Sequence, residues 1–167
     1  RRLASPVHLR VIESISENVL EELEAVDPGM VIFTDIGSGY LSQIGKSLGH
    51  KEMVICDHHQ ALGEMPTKCH HLNPHLLGYD GSMEISGAGT AYLLAKAIDH
   101  RNTDLAAMAI VGCLGDQQDK GPQRTLRGLN EEILRDALEA GVIDVTQDLI
   151  MFGRQTRPIH KAIASTT

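Results

Sequence analysis

Met53-Val54-Ile55-Cys56-Asp57-His58-His59 is an apolar run that stops on three consecutive polar side chains, each able to bind a metal. Four apolar residues without alternation suit a strand inside a parallel sheet. Gly, Asn or Ser ordinarily follows such a strand, so Asp-His-His there is specific. Upstream, Met30-Val31-Ile32-Phe33-Thr34 is a second nearly continuous apolar run, expected to be covered on both faces, and Asp35 stands at its C-terminal end. The turn Gly37-Ser38-Gly39 leads from it into a weaker helix through Leu48. Farther upstream, Val11, Ile15, Val19 and Leu23 recur every four residues among glutamates, the pattern of an amphipathic helix that Asp27-Pro28-Gly29 ends.

Downstream, an extended segment from Cys69 to Leu72 runs into Asn73-Pro74, and Ser86-Gly87-Ala88-Gly89 precedes a helical stretch over 90–98. Asp104 can cap a helix over 105–114, whose apolar character all round predicts burial and which delivers Gly115-Asp116-Gln117-Gln118-Asp119. A polar loop over 121–128 follows. Asn130 can cap a last helix through Ala140, with Gly141 ending it. Alternation of this kind predicts an α/β fold: a doubly wound, mainly parallel sheet with helices on both faces and right-handed crossovers. Its ligand crevice lies outside the carboxyl ends of the strands.

The 167 residues suffice for one main domain. No apolar run approaches the roughly 20 residues of a membrane helix, and Arg1-Arg2-Leu3-Ala4-Ser5-Pro6 has neither a signal-peptide stretch nor an initiating Met, so an internal cut in a longer protein is expected. Cys56, Cys69 and Cys113 lie far apart in apolar contexts and read as buried thiols of a reducing, cytoplasmic compartment. A formal charge of -7 argues against a large basic nucleic-acid groove in this segment, although bound divalent ions reverse the field locally.

Three clusters fall where the expected fold places its site: Asp35, Asp57-His58-His59, and Asp116 with Asp119. Carboxylate and imidazole together suit Mn²⁺ and can serve Mg²⁺, Zn²⁺ or Co²⁺. Two such ions neutralise the attacking and leaving oxygens at phosphorus. Taken singly, each has a plainer explanation. Asp35 alone can be a cap or turn residue, His70-His71 reads as a solvated pair, and Asp116 and Asp119 can simply end a helix, against the dipole there. Ser86, Gly87 and Gly89 can form a phosphate cradle at a helix N-terminus or a tight packing turn. No Ser, His and acid spacing matches a nucleophile elbow, and Gly37-Ser38-Gly39 lacks the third glycine of a dinucleotide fingerprint.

Val54-Ile55-Cys56-Asp57-His58-His59-Gln60 resembles the name-giving motif of the DHH phosphoesterases, and 31–37 resembles the strand motif before it. Asn73-Pro74, 86–89 and 112–116 follow in that family's order, with the resemblance spanning about 30–119. Ile85-Ser86-Gly87-Ala88-Gly89, 115–119 and 152–158 are most similar to archaeal RecJ-like nucleases, relatives of the replication protein Cdc45, some of which associate with the GINS complex. The resemblance implies that Asp35 bridges two Mn²⁺ or Mg²⁺ ions, that His58 and Asp116 are ligands, and that His59 contacts metal or scissile phosphate. It also implies that Asp57 orients a histidine from behind, and that 1–167 is a partial DHH domain with a metal-site core over 30–119 and a helical part over 129–167. The family's first motif and its C-terminal substrate-binding domain are then outside the chain, leaving little or no activity in it alone. The implied function is metal-dependent exonucleolytic hydrolysis of single-stranded DNA or RNA. A small-substrate phosphoesterase acting on short oligonucleotides, cyclic dinucleotides or pyrophosphate, and a non-catalytic Cdc45-like replication scaffold, are the alternatives.

Overall fold

The structure is a computed structural model that describes residues 6–149 and 151–166. Helix α1 (Glu17–Val26) leads to strand β1 (Met30–Thr34), helix α2 (Leu41–Leu48), strand β2 (Glu52–Cys56) and strand β3 (Cys69–Leu72). Helices α3 (Gly87–Ile98), α4 (Ala106–Gly115), α5 (Leu129–Glu139) and α6 (Ile159–Ala164) complete the order. The three strands form one sheet in the order β1-β2-β3, all parallel, with Val31 beside Met53 and Ile55 beside His71. The protein is thus an α/β fold with a small parallel sheet; β1 and β2 lie where the apolar runs place them and β3 coincides with the extended segment read from Cys69 to Leu72.

Two separate apolar cores form. Val31, Phe33, Met53 and Ile55 point from the sheet into one core with Leu20 of α1 and Leu41, Ile44 and Leu48 of α2. The second joins α3, α4 and α5 through Tyr92, Ala109, Ile110, Cys113, Ile133 and Ala137, with Ile85 beneath them. The opposite face of β1 is open: burial alternates along the strand, and Ile32 is 57% exposed. Covering on both faces, expected from the unbroken apolar run, is therefore not found at β1, an edge strand with helices α1 and α2 on one side only. The doubly wound arrangement is not completed among the described residues.

Other differences have local causes. Helix α1 starts at Glu17 because the Ser16 hydroxyl accepts the Val19 N–H, which leaves Val11 exposed outside the helix. Asp104 does not cap α4, since it lies in a 3-10 turn (His100–Leu105) that Asp99 caps. Helix α4 is not buried all round either: Met108, Val111 and Leu114 form an exposed stripe. Asn130 lies inside α5 rather than capping it. Gly141, at φ +65°, does end that helix. Cys56 and Cys113 are buried and Cys69 half-buried, all three as free thiols. No helix among the described residues is long and apolar enough to cross a membrane.

Ile55→Ala empties a fully enclosed position and is expected to lower stability by about 2–5 kcal/mol in urea unfolding. Ile32→Ala, on the open face, is expected to stay within about 0.5 kcal/mol of the parent. Equal losses at the two positions would contradict an open face at β1.

Candidate metal centre

The carboxyl ends of β1 and β2 stand side by side, and there Asp35, Asp57, His58 and His59 each offer one ligand atom, all within 4.8 Å of one another. Asp35 takes a left-handed conformation at φ +62°, sparsely allowed for a residue with a Cβ, which turns the chain off the strand. Its side chain is exposed, yet it lies against the first turn of α3, where a Cβ on Gly87 would come 2.0 Å from Oδ1. Only glycine fits there.

Asp57 is the inner member, with 1% exposure. Its oxygens accept the backbone N–H groups of Ser38 (2.8 Å), His58 (2.8 Å) and His59 (3.3 Å), and the His59 ring at Nδ1 (2.7 Å). Burial alone would raise its pKa, but these hydrogen bonds outweigh burial and hold the carboxyl below its ordinary value. Ionised Asp57 fixes the hydrogen of His59 on Nδ1 and leaves Nε2 facing outward.

His58 is held the same way by other acceptors. Its Nδ1 lies 2.6 Å from the Gly81 carbonyl and 3.1 Å from that of Ile85, so Nδ1 must carry hydrogen. Nε2 then faces Asp35 Oδ1 at 3.1 Å and Asp116 Oδ2 at 3.8 Å. Burial pulls the imidazole pKa down, but Asp35, the Gly81 carbonyl and Asp116 outweigh it and raise the value to about 9. In the ligand-free protein a proton thus occupies the nitrogen where a cation fits. An imidazole fixed at Nδ1 by carbonyls, with Nε2 toward two carboxylates, is the donor arrangement that metal-binding histidines use.

Asp116 stands outside the tight cluster, at the C-terminus of α4, where an uncompensated carboxylate meets the negative end of the helix dipole. It reaches the centre because α4 crosses α3 closely: a Cβ on Gly112 would lie 2.4 Å from that of Ala88. Asp119 turns elsewhere, to Arg124 at 3.0 Å. Of the proposed cradle, Gly87 and Ser86 border a cleft of about 280 Å³ with Asp35 and Asp116. The Ser86 hydroxyl caps α3 by accepting the Gly89 N–H at 3.1 Å. Gly89 itself is a packing glycine, since a Cβ there would strike Ile85 and Ile133.

Sequence reasoning missed two supports. Gln118, 1% exposed, donates through Nε2 to Asp116 (2.7 Å), Gly81 O (2.8 Å) and Ile85 O (3.1 Å), the same carbonyls that hold His58, and accepts from Asn130 at 2.6 Å. His71 is not a solvated bystander. Its Nε2 meets the Ser38 hydroxyl at 2.8 Å, while Asn73 donates to that hydroxyl (2.8 Å) and to the His59 carbonyl (2.7 Å). Burial lowers the His71 pKa against the pull of Asp57, so the ring is held neutral and accepts. The signal available was the polar residue buried at each turn, which sequence cannot distinguish from a solvated one.

No family model matches the chain. It is 35% identical over 166 residues to an uncharacterized protein of Methanocaldococcus jannaschii, MJ0831, an alignment that covers 96% of this chain and 36% of that protein. The chain therefore spans 36% of the length of this curated relative.

Folded His58 keeps its proton until about pH 9, whereas the unfolded imidazole releases it near 6.5. Its contribution to stability is complete below pH 6.5 and lost as pH rises through 9. Urea unfolding of metal-free protein should show this decline, on the order of 1–3 kcal/mol, and His58→Gln should flatten it. Gln118→Leu leaves Asn130 and Asp116 without their buried partner and is expected to remove about 2–4 kcal/mol. Near-neutral unfolding of that variant would show that Gln118 supports nothing.

Proposed function

We propose that this α/β core is the catalytic domain of a DHH phosphoesterase of the RecJ-like kind, a metal-dependent hydrolase of phosphodiester bonds in single-stranded DNA or RNA. The observation that carries the reading is His58: a buried imidazole locked at Nδ1, its Nε2 directed between Asp35 at the end of β1 and Asp116 at the end of α4. Among the described residues Asp35, His58 and Asp116 would hold a divalent ion, Mn²⁺ or Mg²⁺, with Asp35 the carboxylate placed to serve a second one. Oxygen and imidazole donors without thiolate suit those ions better than structural zinc. When bound, the ions supply Lewis-acid charge at phosphorus and make water a competent nucleophile at neutral pH.

The chain's own groups do the rest. Asp57 stays ionised and keeps the His59 hydrogen on Nδ1, so that His59 Nε2, open to the cleft, accepts a proton from the attacking side or returns one to a leaving oxygen. Gln118 keeps Asp116 and the Gly81 carbonyl in register with His58. Asp116 borders clefts on both sides of the cluster, so a phosphorus placed there has room for two substituents, as a diester requires.

Titration calorimetry with Mn²⁺ on this chain, run in buffers of different ionisation enthalpy, tests the assignment. Binding should release about one proton at pH 7, because the ion displaces the His58 hydrogen, and His58→Ala should abolish it. In the longer parent protein, Asp35→Ala should lower hydrolysis of a single-stranded oligonucleotide by at least about a thousandfold. Near-normal turnover in that variant would defeat the reading.

A further inference from the structure

On the far side of the cluster from Gly87, a cleft of about 420 Å³ is lined by His58, His59, Gln60, His75, Gly81, Ser82, Asp116 and Lys120. Its volume falls within the range of small-ligand sites. Its lining departs from the acidic character of the chain: Gln60, His75, Ser82 and Lys120 are hydrogen-bond donors drawn from three separate loops, and Asp116 is the one carboxylate among the described lining residues, with Asp80 behind them holding the Ser82 backbone N–H at 2.8 Å. Lys120 forms no ion pair among the described residues, while nearby Arg124 is taken by Asp119.

The cleft is built rather than incidental. The His75 N–H is fixed by the Asn73 side chain at 3.0 Å, and the same Asn73 holds the His59 carbonyl. The imidazole of His75 then lies against the backbone of Gly81, where a Cβ would come 2.8 Å from its Nε2 and 1.9 Å from the His58 carbonyl oxygen. Glycine at 81 thus lets His75 and the candidate ligand His58 share one wall. Lys120 joins the lining from the loop after α4, two residues past Gln118, which is itself anchored to Gly81.

We propose that this cleft is an anion subsite that seats a second phosphate of a chain-like substrate, next to the phosphate at the metal cluster, with Lys120 and His75 as its principal donors. The inference rests on the phosphodiesterase reading and sharpens it: the preferred substrate carries consecutive phosphates, as a nucleic-acid backbone does, and an isolated phosphodiester leaves the subsite empty. Lys120 supplies a mobile point charge and the His75 ring an N–H donor, a pairing that tracks a backbone without reading bases.

The test is fluorescence anisotropy of a short phosphorothioate oligothymidylate, which resists turnover, on this chain with Mn²⁺ across a range of salt. Lys120→Gln and His75→Gln are each expected to weaken binding about tenfold. Lys120→Gln should also reduce the slope of log affinity against log salt by about 0.7, the loss of one phosphate contact. Calorimetry with Mn²⁺ should give wild-type affinity in both variants. Inorganic tripolyphosphate competes with the probe if any phosphate chain suffices, and fails to compete if the sugar backbone is also required; either result, with the variants impaired, supports the subsite. Wild-type affinity and slope in both variants, absence of probe binding by the parent, or loss of Mn²⁺ binding in the variants would each overturn it. Failure of the metal reading looks different: the parent then binds no Mn²⁺ in calorimetry, whatever the oligothymidylate does.

Discussion

A carboxylate sealed from water is tolerable only when its oxygens are fully hydrogen-bonded, and Asp57 meets that condition with groups from two segments, one of which is tied to a third. Ser38 brings the turn that follows β1, His58 and His59 belong to the end of β2, and Ser38 in turn links to His71 and Asn73 at the end of β3. The ends of all three strands are thus tied to one buried charge. Asp35, at the left-handed exit of β1, and the two imidazoles inherit their positions from that knot. Removing a donor would leave the buried charge less fully paired, so geometry at the strand ends and stability of the sheet are coupled.

The other half of the centre is set by what side chains do not occupy. Gly87, Gly112 and Gly81 each stand where a Cβ would collide with a neighbour, respectively Asp35, Ala88 and the His58 carbonyl. These contacts let α3 and α4 approach the strands closely enough for Asp116 to stand within 4 Å of His58. Gln118 then converts proximity into order by holding Asp116 and two carbonyls at once.

Strands β1 and β2 were legible because nearly unbroken apolar runs over 30–34 and 53–56 mark them, although the open face of β1 does not bury its share of that run. The residues at their ends were legible for the same reason: Asp35 and Asp57-His58-His59 interrupt apolar runs where nothing local requires it. Periodicity said less about helices. The stripe through Val11 and Val19 continues outside α1 because Ser16 starts the helix, and α4 looks buried all round although Met108 and Val111 face outward. Composition tells what a face can bury, not whether a neighbour is present. Gln118, Ser38 and His71 were illegible because their roles lie in hydrogen bonds to residues distant in sequence, and a glutamine, serine or histidine in a loop is ordinarily wet.

The two apolar cores share no residue: one encloses the sheet with α1 and α2, the other joins α3, α4 and α5. Asp35 and His58 belong to the first side, Asp116, Gln118 and Gly87 to the second, and they meet at the seam. Each core is in principle a separate cooperative unit, able to open at its own free energy. A cation held by this cluster would be gripped from both sides and would act as a rivet between the cores. Occupancy would add to the hydrogen bonds that already join the two cores through Gly81, so that a loaded protein unfolds more nearly as a single cooperative body.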